Sequence, residues 1–321
     1  MKEPFFRTIL GDKPSSEMGL TYSHEHIIID DCYVTEEHPE FLLNDPQKIV
    51  EELQSFHTAR GRTVVDTMPA NCGRNPLLSA VISQKSKVNI IVPTGIHLEI
   101  YYPKNHWRYK LTEDQLTDLF IADIEQGIDK YDYSSPILER TKHKAGLIKL
   151  ATGNEPFSKH QEKIFHAVVN AHLATGAPIL THSNFGNQAL EQALFFEKLG
   201  VKLEHVVLSH VDRNKDLNYQ KKVLDTGVKI EYDSAFRWKK DDKNWTLYFL
   251  EELLNDYPNQ ITLGMDMAKN AYWKSYGGAP GLTYLIDTIP EFLKSKGLSV
   301  HYQKLFFDNP QKLYTFFTTY D

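Results

Sequence analysis

The sequence predicts a (β/α)₈ TIM barrel, in which eight parallel strands alternate with helices and close into a ring. Short apolar runs rich in valine, isoleucine and leucine recur along the 321 residues, and an amphipathic helical pattern follows most of them. Several runs end in histidine or aspartate, and such barrels collect their chemistry at the carboxyl ends of the strands. Helical spacing alone also allows a doubly wound open sheet, but the placement of the polar residues favours the barrel.

Eight apolar segments have the length and composition of buried parallel strands. They cover residues 20–26, 63–68, 89–94, 146–151, 178–182, 206–210, 228–232 and 261–266. No charge block, low-complexity segment or linker rich in proline, glycine and serine divides the chain. We therefore expect a single domain over residues 1–321.

Helix-capping signals lie between these segments. Asp45 before Pro46 is typical of an N-cap with proline at the first helical position. Asn309 before Pro310 predicts the start of a final helix that ends near Phe316. Two further segments read as capping boxes, Thr112-x-x-Gln115 and Ser158-x-x-Gln161.

Composition excludes several classes of protein. The formal charge of −6, from 36 lysines and arginines against 42 aspartates and glutamates, argues against a general nucleic-acid binder. Two cysteines, Cys32 and Cys72, are too few for a disulfide scaffold and indicate reduced thiols. The N-terminus lacks the apolar run of a signal peptide, and no stretch approaches the roughly 20 apolar residues of a membrane span. We expect a soluble cytoplasmic protein.

The first predicted strand ends in a histidine pair, His24 and His26. Residues two apart on a strand point to the same face, so both imidazoles point the same way. Neutral imidazole is a good ligand for zinc-like ions. The pattern is weak by itself, because paired histidines on a strand are more often ordinary core or surface residues.

The fourth predicted strand contains Lys149 within an apolar run. A buried lysine is costly unless its charge is paired or removed. Reaction of the neutral amine with CO₂ would give an anionic carbamate able to bridge two metals. A lysine that reaches solvent or pairs with a carboxylate is the equally simple alternative.

Three later apolar runs end in a metal-binding side chain, at His182, His210 and Asp266. The two histidines are 28 positions apart, about one strand and helix repeat. Each residue alone is explicable as a capped strand end. Six such groups on five strands are hard to explain as packing, so the set predicts a metal site at the barrel mouth.

This ordered set resembles the phosphotriesterase-like branch of the amidohydrolase superfamily. The matching motifs are SHEH, GLIKLATG, ILTHS, VVLSHVD and TLGMD, and the resemblance runs from GLTYSHEHIIID to the terminal DNPQKLYTFF. It implies a metal-dependent hydrolase whose binuclear metal site lies at the carboxyl ends of the strands. We see neither G-x-S-x-G nor G-x-G-x-x-G in the chain, so the sequence offers no sign of a serine nucleophile elbow or a dinucleotide site.

The resemblance also implies a role for each matched residue. His24, His26 and Asp266 would hold the more buried of two divalent metal ions, and His182 and His210 the more exposed one. N6-carboxylated Lys149 and a hydroxide would bridge them, with Asp266 as the catalytic base. Mixed nitrogen and oxygen ligands suit zinc best, with manganese or cobalt as alternatives.

Two loops carry cations in a chain that is net negative, and they suggest a phosphorylated substrate. After the seventh strand come Arg237, Lys239 and Lys240, and after the eighth come Lys269 and Tyr272. A cation three residues and a tyrosine six residues past the metal-binding aspartate resemble the branch that acts on phosphorylated sugar lactones. That branch carries arginine where this chain has lysine, which keeps the charge but loses the bidentate fork. Solvated loop charges are the alternative.

The third loop places His97 where relatives carry a large aromatic residue, so it either contacts substrate or lines the pocket. We therefore expect a small-molecule substrate of the pentono-1,4-lactone 5-phosphate type, with no nucleic-acid or membrane partner, and a homodimer by resemblance. Another lactone, a carboxylic ester, an amide or a phosphotriester is the alternative. A non-catalytic binding barrel would have lost a ligand, and this chain retains all six.

Overall fold

The eight strands expected from the sequence are all present in the computed structural model, which describes residues 3–317. They run parallel and neighbour one another in chain order. An antiparallel hairpin, which the sequence did not predict, precedes them. The strands are β1 Phe5–Thr8, β2 Gly11–Pro14, β3 Leu20–Glu25, β4 Gly61–Asp66, β5 Asn89–Ile91, β6 Pro93–Gly95, β7 Leu147–Thr152, β8 Ile179–Ser183, β9 Val206–Ser209, β10 Lys229–Tyr232 and β11 Ile261–Leu263.

The predicted third strand is interrupted at Val92, so that β5 pairs with β4 while β6 pairs with β7.

The ring closes between the first and last barrel strands. The backbone amides of Met265 and Asp266 donate to the His24 carbonyl at 3.1 and 3.0 Å. Gly264 permits this approach, because a Cβ there would lie 2.7 Å from the His24 backbone. The closed barrel, not the open sheet, is therefore the fold.

Helices follow the strands and cover the outside of the barrel. They are α1 Tyr33–Glu37, α2 Pro46–Thr58, α3 Pro76–Ser86, α4 Glu113–Glu125, α5 Lys159–Thr175, α6 Ala189–Lys198, α7 Leu217–Asp225, α8 Trp245–Leu253, α9 Tyr284–Ser295 and α10 Asn309–Tyr314. Within residues 3–317, none of the helices has the length and apolar character required to cross a lipid bilayer.

The predicted caps of three helices are confirmed. The Asp45 side chain accepts from two backbone amides at the start of α2, and both capping boxes close at the starts of α4 and α5. The predicted final helix is also present, and α10 begins at Asn309 as predicted. Asn309 is not a cap, because a π-helical turn at Lys304–Asp308 already precedes it, and its side-chain amide donates to the Pro258 and Ile261 carbonyls.

Alternate residues along the barrel strands build the interior in layers. A small apolar cluster fills the lower layer and includes Leu147, Leu180 and Val207, closed from below by Tyr314 and neighbouring residues. Two positions further along the same strands come Lys149, His182 and Ser209. Since side chains alternate with period two, these polar residues stand directly above the apolar floor. The floor thus separates the polar mouth of the barrel from its closed end.

Buried Glu52 of α2 anchors the loop that follows β11. Its carboxylate oxygens accept from the backbone amides of Ser275 and Leu282 at 2.8 and 2.9 Å, and the side chain is fully covered. Two loop amides that would otherwise be buried without partners are satisfied in this way. The same loop carries Lys269 and Tyr272, so α2 fixes the path of a segment of the barrel mouth.

Replacing Glu52 with glutamine should reduce the free energy of unfolding by about 1–3 kcal/mol, because one loop amide then faces a donor instead of an acceptor. Urea or thermal unfolding of the purified chain measures the change. Glu51→Gln is the matched control, since Glu51 is the exposed neighbour on the same helix. Equal stability of the two variants would contradict the anchoring role.

Candidate metal centre

The structure brings all six predicted ligand residues to one cavity at the carboxyl ends of the strands. The cavity has a volume of about 190 Å³. Its lining includes His24, His26, Lys149, His182, His210 and Asp266. All six are buried, and none exposes more than 9% of its surface. The polar ends of five separate strands therefore converge on one small space.

One pair of ring nitrogens faces a single point above β8 and β9. His182 Nδ1 and His210 Nε2 lie 2.9 Å apart, and the left-handed backbone of His210, with φ of 65°, turns its ring toward that point. Nitrogens bound to one tetrahedral zinc ion lie about 3.3 Å apart. Burial lowers the pKa of both histidines well below the usual value, which favours the neutral imidazole that metals bind.

A second group of donor atoms meets on the other side of the cavity. His26 Nε2 lies 2.9 Å from Asp266 Oδ1, and His24 Nε2 lies 3.7 Å from the same oxygen. The other carboxylate oxygen of Asp266, Oδ2, accepts hydrogen bonds from Arg213 at 2.5 Å and from Arg237 at 2.9 Å. Although burial alone would raise it, these two guanidinium groups hold the pKa of Asp266 well below its usual value.

Lys149 also lines this cavity, and its contacts differ from those of an ordinary buried lysine. The amine nitrogen is fully buried and has no hydrogen-bond partner among the described residues. Burial lowers the pKa of Lys149 to about 8, because it removes the water that would stabilise the charged amine. An unpaired buried amine costs several kcal/mol in a purely structural role.

These donors fit a divalent metal centre. Within residues 3–317, His24, His210 and Asp266 each offer one ligand atom, and the three atoms lie within 4.8 Å of one another. The nitrogen pair of His182 and His210 adds a second point of convergence. Neutral imidazole nitrogens and a carboxylate oxygen are the donor types that zinc and similar ions take.

Carboxylates behind two of the histidines were missed by the sequence analysis. Glu231 Oε2 lies 2.9 Å from His24 Nδ1, and Asp233 Oδ2 lies 2.6 Å from His210 Nδ1. They occupy alternate positions at the end of β10, so both point into the barrel. The cost argument applied to Lys149 would have found Glu231, which lies within a predicted apolar strand and is fully buried.

Arg213, which contacts both Asp233 and Asp266, was also missed by the sequence analysis. Its guanidinium contacts Asp266 and, at 2.9 Å, Asp233 Oδ1, while its Nε donates to Ser234 Oγ at 3.0 Å. Arg213 follows a predicted ligand by three residues in a short helical turn. No periodic pattern in the sequence marks such a position.

Four of the six predicted substrate residues line the cavity. Arg237, Lys269, Tyr272 and His97 do so, joined by apolar side chains that include Phe41, Met68 and Tyr101. Arg237 lies 3.3 Å from the Tyr272 hydroxyl, and Lys269 lies 3.5 Å from Glu40. His97 is buried with its ring 5.1 Å from that of His182. A cationic side of the cavity thus adjoins the candidate ligands.

Lys239 and Lys240 are not brought to the cavity. Both side chains are exposed, and the lining includes Arg237 as the cation of that loop. The chain turns outward after Arg237, where the Lys239 amide donates to the Arg237 carbonyl and the Trp238 indole donates to Thr246. A role for these lysines in substrate binding remains a prediction that the cavity lining does not support.

Comparison with known proteins agrees with this geometry. The sequence matches the phosphotriesterase family over residues 4–314. It is 31% identical to a phospho-furanose lactonase of Mycoplasmopsis agalactiae, over 98% of this chain and 92% of that protein. The fold superimposes on the crystal structure of an amidohydrolase from Mycoplasma synoviae with a TM-score of 0.95, at 30% identity over 100% of this chain and 94% of the other. A lactonase from Listeria monocytogenes gives a TM-score of 0.90, at 30% identity over 98% and 100%.

The chain therefore belongs to the phosphotriesterase family. It is a metal-dependent hydrolase that acts on ester bonds, in a family whose centres are binuclear. The resemblance stated from the sequence is confirmed, and so is the barrel.

Removing metal with a chelator should lower the thermal midpoint, and adding Zn²⁺ back should restore it. Binding to the folded chain alone stabilises it by about 2.7 kcal/mol when free metal is a hundred times the dissociation constant. Differential scanning calorimetry with parallel metal analysis tests this, with Mg²⁺ as the control ion because it prefers oxygen ligands. A midpoint indifferent to Zn²⁺ would contradict the fit of these donors.

Proposed function

We propose that this member of the phosphotriesterase family opens a phosphorylated sugar lactone of the pentono-1,4-lactone 5-phosphate type. The observation that carries the proposal is the cavity itself. Its lining combines the candidate metal ligands with Lys269, Arg237 and Tyr272. A lactone bound near the candidate metal ligands needs an anionic substituent to interact with these cationic side chains as well. The name of the Mycoplasmopsis agalactiae relative supports the same substrate class.

The proposed ligand set is the one that the resemblance implies, and the closeness of the donor atoms in the cavity supports it. His24, His26 and Asp266 would hold the more buried ion, His182 and His210 the more exposed one, and carboxylated Lys149 would connect them. Zinc suits these nitrogen and oxygen donors best, with manganese or cobalt as alternatives. When bound, such ions lower the pKa of a bound water and polarise an ester carbonyl.

Asp266 is the residue we propose as the proton carrier. Lactone opening joins a water oxygen to the carbonyl carbon and breaks the bond from that carbon to the ring oxygen, which leaves a new hydroxyl and a carboxylic acid that releases its proton to solvent. Asp266 Oδ1 faces the candidate ligands and lies 2.9 Å from His26 Nε2, whereas Arg213 and Arg237 hold Oδ2. Oδ1, which has no guanidinium partner, can take one proton of the attacking water and pass it to the ring oxygen.

Lys269 and Arg237 are proposed to bind the substrate phosphate, with the Tyr272 hydroxyl as a further donor. Lys269 pairs with Glu40 across a partly exposed contact, in which the two side chains are 38% and 42% exposed. Such surface pairs contribute little, so phosphate can displace the glutamate at low cost. His97 would contact the lactone ring. Lys239 and Lys240, which follow Arg237 in its loop, are retained as proposed substrate-binding residues.

A carboxylic ester, another lactone or a phosphotriester is the alternative substrate. The apolar part of the cavity, formed by side chains such as Phe41, Met68 and Tyr101, is the feature that favours it. Our remaining proposals for the chain as a whole are a single domain over residues 1–321, a homodimer and a cytoplasmic location. Light scattering of the purified protein tests the dimer directly.

Metal-loaded protein should hydrolyse phosphorylated pentonolactones far better than unphosphorylated ones. Losing one charge-assisted contact costs about 1.5–3 kcal/mol, so Lys269→Ala should raise KM for the phosphorylated substrate about 10–100-fold. A pH-indicator assay of acid release measures both substrates. Lys274→Ala is the matched control, an exposed lysine of the same loop outside the cavity lining. Equal turnover of both lactones would rule out the phosphate site.

Lys149→Ala should lose bound metal and activity together, because it removes the proposed bridging group. A short-chain carboxylic acid such as propionate should restore part of both, since its carboxylate fits the space that the side chain leaves. Metal analysis after gel filtration, with and without propionate, follows the first effect independently of turnover. Full metal content and activity in the variant would refute the bridging role.

A further inference from the structure

We propose that Glu231 is a positioning residue that holds the His24 ring in the tautomer carrying its proton on Nδ1. In that tautomer Nε2 keeps a free lone pair directed at the cavity. The inference rests on the proposed role of His24 as a ligand. It assigns a task to β10, a barrel strand that supplies none of the six proposed ligands.

Among the described residues, the hydrogen-bond partners of the Glu231 carboxyl group are two side chains. Oε2 lies 2.9 Å from His24 Nδ1 and accepts from the Ser209 hydroxyl at 2.8 Å. Ser209 Oγ lies 3.0 Å from the same ring nitrogen, which closes a triangle of three polar atoms. Oε1 has no partner within residues 3–317.

The contacts of this triangle favour the tautomer with the proton on Nδ1. When the Ser209 hydroxyl donates to Oε2, the ring nitrogen is left to donate to the glutamate oxygen that it faces. With Glu231 ionised, a ring with a bare Nδ1 would set its lone pair against the carboxylate at 2.9 Å. On the opposite edge, Nε2 lies 3.1 Å from the Thr67 hydroxyl, which also lies 3.0 Å from the Glu25 carbonyl, and 3.7 Å from Asp266 Oδ1. In this tautomer the Nε2 lone pair faces Thr67 and the proposed metal position.

A purely structural role does not account for this glutamate. The side chain is fully buried, has one unpartnered oxygen and satisfies no backbone group in the described chain. A leucine of similar size would fill the space without the cost of burying a carboxyl group. The contact with His24 is the feature that offsets this cost, as carboxylates behind ligating histidines do in metal sites.

The experiment compares zinc affinities of the holoprotein by competition with a chromophoric chelator. Glu231→Leu should weaken one of the two zinc ions about 10–100-fold, the usual cost of losing such a partner. Glu231→Gln should bind zinc within a few-fold of the wild-type chain, because its amide oxygen accepts the same Nδ1 proton. A folded Glu231→Leu variant with wild-type affinity for both ions would overturn the proposal.

Two controls separate the possible failures. Glu52→Gln removes another buried carboxylate, so it should lower stability and leave zinc affinity unchanged; a weakening equal to that of Glu231→Leu would make the effect one of stability alone. His24→Asn should lose the same zinc ion. Retention of both ions by that variant would overturn the proposed ligand set itself and this inference with it.

The tautomer can also be observed in the wild-type chain, without dependence on how any Glu231 variant folds. Long-range ¹H–¹⁵N correlation spectra of histidine-labelled, metal-free protein distinguish the two nitrogens, and the His24→Asn spectrum assigns the signal. We expect the proton on Nδ1. A proton on Nε2 would overturn the positioning role.

Discussion

The arrangement of the mouth depends on one constraint: a lysine amine lies inside an apolar barrel without a hydrogen-bond partner. A structural lysine would reach solvent or pair with an acid, and Lys149 does neither within the described chain. The surrounding histidines are held neutral by the same burial, which leaves their nitrogens as ligands instead of charges. The cavity is therefore suited to bind cations, because these nitrogen atoms are available as ligands.

The position of this polar layer follows from strand geometry. Leu147, Leu180 and Val207 form the floor, and the residues two positions later on the same strands face the cavity. A shift of one residue in register would exchange the two sets and bury the outward-facing side chains instead. Closure at His24, where β3 meets the segment after β11, brings the first and last proposed ligands together. The barrel thus sets the distances between the proposed ligands.

Much of this could be predicted from the sequence, and the parts that could not have physical reasons. Eight strands, three caps and six converging residues follow from periodicity and from the cost of burying polar groups. The π-helical turn before the last helix and the contacts of Asn309 with the Pro258 and Ile261 carbonyls were not predicted, because local capping rules do not describe contacts with a distant turn. Arg237, Lys239 and Lys240 were predicted together as substrate-binding residues, and of these three only Arg237 lines the cavity. The path of that loop depends on Trp238 packing against α8, which no short motif encodes.

The residues that the sequence analysis missed are polar groups inside the barrel, like those that it found. Glu231 and Asp233 are fully buried acids and Arg213 is a partly buried cation, and each contacts a proposed ligand. Ligands recur at strand ends and can be recognised one by one, whereas a residue that orients a ligand is defined only by its neighbour. The end of β10 carries two such acids, Glu231 behind His24 and Asp233 behind His210. A strand that supplies none of the proposed ligands therefore contacts two of them, and substitutions there should act on metal affinity before they act on substrate.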